Sequence, residues 1–122
     1  MKIKGKVVKG CQQARLELGI KSANLDIQTG KLLPGVYCAD AYLENKLYQA
    51  VCFIGKANLV KEKPWRVEVH LLNYSGPEFY GSEMEIAIRI KIRDVHQFVS
   101  IDEARETIQD DITKARAYFN QE

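Results

Sequence analysis

The sequence predicts a mainly β fold, a small antiparallel barrel with one C-terminal helix packed on it. Three observations carry that expectation. Apolar and polar residues alternate over two long stretches, residues 65–74 and 83–93, and a period of two over that length marks strands with one buried face. Two runs rich in Val, Tyr, Ala and Phe meet at Glu44-Asn45-Lys46, which is a hairpin pattern. From Ile101 onward the apolar spacing changes to that of a helix. Roughly five strands in so short a chain close most readily into a small barrel, which a helix can then cover.

Taken in order, KIKGKVVKG near the start reads as the opening strand, and GVYCADAYLENKLYQAVCFIG reads as the hairpin. In WRVEVHLLNY the alternation sets Trp65, Val67, Val69 and Leu71 on one face and Glu68 and His70 on the other. In EMEIAIRIKIR it sets Met84, Ile86, Ile88, Ile90 and Ile92 together on one face. Ile101, Ala104, Ile108, Ile112, Ala115 and Phe119 form the helical stripe. Ser100 and Glu103 precede it as an S-x-x-E capping box, in which the serine oxygen accepts an N–H that the first helical turn leaves unpaired.

Composition narrows the function classes. The 122 residues suit a single domain spanning 1–122, with one core. Eighteen basic and sixteen acidic residues are interspersed, for a net charge of +2. That balance argues against a nucleic-acid protein working through bulk basicity. The apolar runs are far short of a membrane span, and MKIKGKVVKG lacks the apolar core of a signal peptide. Cys11, Cys38 and Cys52 are odd in number and have no C-x-x-C spacing. They read as free thiols in a reducing cytoplasm rather than as a zinc site.

Three segments fall outside strand or helix periodicity: residues 10–25, the basic stretch 55–64 with Lys56, Lys61 and Lys63, and the turn at 73–81 with Gly76 and Pro77. A long polar loop in a compact domain is a place to look for function. On residues alone, Ser22-Ala23-Asn24 reads as a turn, and Glu68 reads as part of a solvated outer face.

The order of short motifs adds to this reading. Val7-Val8-Lys9-Gly10 is followed by LGIKSANL at 18–25, LPGVY at 33–37, VEVHLL at 67–72 and FYG at 79–81. Ile92-Arg93, FVS at 98–100 and QDDI at 109–112 complete the series. Over nearly the whole chain and in the same order, these resemble riboflavin kinase (flavokinase). The resemblance implies a six-stranded antiparallel closed barrel with a C-terminal helix. It implies transfer of the γ-phosphate of ATP to the 5′-hydroxyl of riboflavin, giving FMN and ADP, with Mg²⁺ or Zn²⁺ as cofactor. It further implies a monomer that is cytoplasmic, contacts neither membrane nor nucleic acid, and either stands alone or is fused to the adenylyltransferase domain of an FAD synthetase.

Site residues follow from the same resemblance, position by position. Ser22 and Asn24 match the family's metal- and phosphate-binding P-T-A-N motif, with serine supplying the hydroxyl oxygen and Lys21 in the place of proline. Gly10 and Gly19 join them as expected ATP and phosphate contacts, and Arg15 and Lys21, which depart from the family's pattern, are expected to contact phosphate through their charge. Glu68 matches the general base, and Arg93 matches an arginine near the flavin. Where the family carries glycines after the first strand, this chain reads Cys11, Gln12, Gln13, Ala14 and Arg15. That departure motivates an alternative, a catalytically impaired flavin- or nucleotide-binding module derived from such a kinase.

Overall fold

A computed structural model of the chain describes residues 2–8, 22–26, 33–56, 65–73, 81–95 and 100–120. Among these residues there are six strands: β1 (Lys2–Val8), β2 (Ser22–Asp26), β3 (Gly35–Leu43), β4 (Lys46–Lys56), β5 (Trp65–Leu71) and β6 (Glu83–Arg93). A helix, α1 (Ile101–Asn120), follows them. The β3–β4 hairpin turns at Glu44 and Asn45, both with positive φ (49° and 67°). Two consecutive left-handed residues match the twist of the flanking strands, and asparagine tolerates that conformation well.

All pairings are antiparallel, in the order β1-β2-β5-β4-β3-β6, and β6 returns to β1 to close the barrel. At that seam the Gly81 N–H donates to the Val7 carbonyl at 2.8 Å. Gly81 holds φ at 90° to do so, a conformation that strains any residue with a Cβ. Lys4 pairs with Glu83 at 2.8 Å across the same seam.

Two apolar clusters sit on opposite sides of the barrel wall. The interior is filled by Ile3, Val7, Leu25, Ala39, Ala41, Cys52, Ile54, Val67, Val69, Met84 and Ile86, among others. Outside, α1 lays Ala115 and Phe119 on Val36, Cys38, Val51 and Leu72. The predicted helical stripe is the buried one: Ala104, Ala115 and Phe119 are buried, and Ile108 and Ile112 half-buried. The Ser100 hydroxyl accepts the Glu103 N–H at 3.1 Å, as the capping box requires.

Two expectations are corrected. Ser22–Asp26, the end of the stretch read as a loop or turn, is strand β2, because both its edges pair, with β1 and with β5. The five alternate apolar residues of β6 do not share one face. Register shifts lie between Val36/Tyr37 and Cys38/Ala39 in the β3–β6 pairing, and such irregularities swap the faces of a strand. Met84, Ile86 and Ile88 therefore pack with the interior, whereas Ile92 packs with the outer cluster under α1 and Ile90 is exposed.

Candidate functional site

The site is built on β5. Val67 and Val69 are fully buried in the barrel and Leu71 nearly so, which turns Glu68 and His70 to the outer face, where both are half-buried. Strand β2 lies alongside, with Ser22 opposite His70 and Asn24 opposite Glu68. The backbone register therefore sets residues 22 and 24 directly beside His70 and Glu68. Two motifs more than forty positions apart in sequence thus become immediate neighbours. On the other edge of β5, Phe53 of β4 stands opposite Glu68 and Val51 opposite His70. Both belong to the cluster under α1, so the helix flanks this face.

Electrostatics at the face follow from burial. Burial, and then the charge of Arg116, pull the His70 imidazole down from its ordinary value to about 4, so it is neutral at pH 7. Arg116 Nη1 donates to Asn73 Oδ1 at 2.8 Å. Inside the wall, burial and then the nearby Glu68 carboxylate push the Cys52 thiol up to about 12. Cys38 is also raised, by burial first. Both are free cysteines, and a thiol held protonated is a poor nucleophile or metal ligand.

Arg93 ends β6 and meets α1. Its Nε and Nη2 donate to the two carboxylate oxygens of Asp111 at 2.8 and 2.9 Å, and its Nη1 to the Asp94 carbonyl at 3.0 Å. Asp111 is only 3% exposed, so this two-pronged pair is largely withdrawn from water. The structure thus brings Ser22, Asn24 and Glu68 together, while Arg93 stands where the barrel meets the helix. Gly10, Arg15, Gly19 and Lys21 lie outside the described residues, as does Cys11.

In the sequence, Asp111 has no role beyond its place in QDDI, and Arg116 is not singled out. Asp111 sits at i+7 from Ala104 and i−4 from Ala115, within the helix's buried stripe. A carboxylate inside an apolar stripe is the signal that a buried partner exists. Arg116 carried no comparable signal. Among the described residues no helix is long and apolar enough to cross a membrane.

Comparison with known proteins bears on the family and the fold. Residues 1–119 match the Flavokinase (riboflavin kinase) family model. The chain is 34% identical to the trifunctional protein RibF/MnmA of Mycoplasmoides gallisepticum, covering 98% of this chain and 18% of that protein. It is 32% identical to the bifunctional riboflavin kinase/FMN adenylyltransferase of Bacillus subtilis, covering 97% of this chain and 38% of that one. The chain therefore spans well under half the length of these relatives. The crystal structure of riboflavin kinase from Trypanosoma brucei superposes with a TM-score of 0.72 at 22% identity, covering 98% of this chain and 76% of that one, which is a likeness of fold. A family match over nearly every residue, on a closed barrel that sets the two motifs side by side, identifies the chain as a member of the riboflavin kinase (flavokinase) family.

Proposed function

We propose that this chain transfers the γ-phosphate of ATP to the 5′-hydroxyl of riboflavin, giving FMN and ADP. The observation that carries the reading is the β2–β5 register, with Asn24 opposite Glu68 and Ser22 opposite His70. Phosphoryl transfer needs oxygen donors that hold a metal–phosphate group beside a base for the attacking hydroxyl, and the register supports the reading by pairing the strand of the expected donors with the strand of the expected base.

The donor set suits a hard divalent cation. A serine hydroxyl and an asparagine amide oxygen are oxygen ligands of the kind that Mg²⁺ accepts alongside phosphate oxygens and water. Among the described residues there is no cluster of three or more His, Cys, Asp or Glu of the kind a closed zinc site uses. Ser22 and Asn24 would hold the cation, which when bound draws charge from the transferring phosphoryl oxygens.

The chain's own residues do the rest. The Glu68 carboxylate accepts the proton of the riboflavin 5′-hydroxyl as that oxygen bonds to the γ-phosphorus and the bond to the β-phosphate oxygen breaks. His70, neutral at pH 7, adds no positive charge beside the base. Gly10, Arg15, Gly19 and Lys21 are the residues we assign to the phosphates, with Arg15 making a charge-assisted contact where the family relies on bare backbone. Arg93, held in orientation by Asp111, can offer the face of its planar guanidinium to an aromatic ring such as the flavin.

The test is FMN formation by purified protein from riboflavin and ATP, with and without Mg²⁺ or Zn²⁺. Metal-dependent FMN formation is expected. Flavin fluorescence quenching with no FMN under any divalent metal would instead support the impaired binding module, which the altered residues 11–15 favour.

A further inference from the structure

We infer that Arg116 of α1 is a positioning residue that couples the helix to the end of β5, and so holds in place the strand carrying Glu68 and His70. The inference rests on the reading of function just given. It concerns a residue outside every motif that led to that reading.

The segment leaving β5 is held from three sides. The Leu72 N–H donates to the Gln49 carbonyl of β4 at 2.9 Å. Leu72, 4% exposed, is buried in the same cluster as Ala115 and Phe119 of α1. Asn73 then adopts a left-handed backbone, φ 60°, and its side-chain oxygen takes the Arg116 hydrogen bond at 2.8 Å. His70 lies three residues before Asn73 and Glu68 five, about 10 and 17 Å of strand at most. Displacement of this anchor is therefore felt at the base.

Small displacements of a base from its acceptor geometry cost turnover far more than binding. Loss of the Arg116–Asn73 link is therefore expected to lower kcat and leave the riboflavin KM nearly unchanged.

The experiment compares Arg116→Gln, Arg116→Lys, Asn73→Gly and Lys114→Gln in the whole chain. Glycine at 73 keeps the left-handed backbone and removes only the acceptor. Lys114 is an exposed α1 cation and controls for net charge. We expect kcat for FMN formation to fall about three- to tenfold in Arg116→Gln and Asn73→Gly, with the riboflavin KM moving less than about twofold. Partial recovery is expected in Arg116→Lys and no change in Lys114→Gln. In parallel, the Leu72 amide, which bonds to the Gln49 carbonyl, should exchange with solvent faster in Arg116→Gln and Asn73→Gly and no faster in Lys114→Gln. Wild-type kcat in both Arg116→Gln and Asn73→Gly, or unchanged Leu72 exchange in both, overturns the coupling. The exchange arm needs no turnover. A chain that made no FMN would overturn the reading of function, and the coupling would still stand or fall on the exchange of Leu72.

Discussion

The two faces of β5 differ more than any two regions of the molecule that lie so close together. Val67, Val69 and Leu71 face inward, sealed in the barrel, whereas Glu68 and His70 alternate with them and face outward beside α1 and β2. The inner set does one job: it removes apolar surface from water and fixes the strand in place. The outer set is exposed enough to meet a substrate and is placed by the inner set's rigidity. On the function proposed above, a strand one residue wide separates stability from chemistry, and substitutions on its two faces should have separable consequences.

The largest stability loss is expected from Leu71→Ala. Leu71 is 4% exposed in the barrel interior, and truncating such a leucine costs about 2–5 kcal/mol. Thermal melts should show it, while the turnover of molecules that remain folded stays near wild type. A collapse of kcat with an unchanged melt would break the separation of the two faces.

Next comes the tie between barrel and helix. Asp111→Ala leaves the mostly buried Arg93 cation without its carboxylate, for a cost of about 3 kcal/mol. Guanidinium chloride titration should detect it, and a loss under about 0.5 kcal/mol would mean that the outer cluster alone holds α1.

His70 supplies a pH-dependent term of similar size. Its imidazole titrates near 4 in the folded chain against an ordinary 6.5, so the unfolded chain takes up that proton first. The stability it confers is present above pH 6.5 and is lost as pH falls toward 4, on the order of 3 kcal/mol at pH 4. His70→Gln should flatten that part of the stability–pH curve, and an equally steep curve in the variant would assign the acid loss to other groups.

Much of this architecture was legible in the sequence, and the failures have physical causes. The hairpin, β5, β6 and the capped helix each carry a regular period with a chemically distinct turn or cap, so local residues suffice to specify them. Strand β2 does not. Its SANLD sequence has a single large apolar residue, Leu25, and it is a strand because β1 and β5 supply partners on both edges. The β6 face swap was invisible because isoleucine is wanted on both sides of this wall, inside the barrel and beneath α1. The roles we propose for Ser22, Asn24 and Glu68 rest on resemblance, not on any local pattern. No local pattern says that residues 24 and 68 lie opposite one another, since that depends on the closure of the whole sheet. Arg116 lay beyond reach for the same reason: its partner Asn73 is 43 positions away.

The smallest expected effect is at the helix start. Ser100→Ala removes the acceptor of the Glu103 N–H and should cost about 1 kcal/mol, visible as a small fall in melting temperature with unchanged FMN formation.

The central claim is that the outer face of β5 carries the base while its inner face carries only the fold. Glu68→Gln tests this most directly, with three measurements on the same sample: FMN formation, riboflavin affinity by fluorescence quenching, and thermal melting. The account predicts that kcat falls about 10²–10⁴-fold, with riboflavin affinity and melting temperature close to wild type. A variant that still made FMN at the wild-type rate would contradict it, because the proton of the 5′-hydroxyl would then be leaving by a route that does not pass through Glu68.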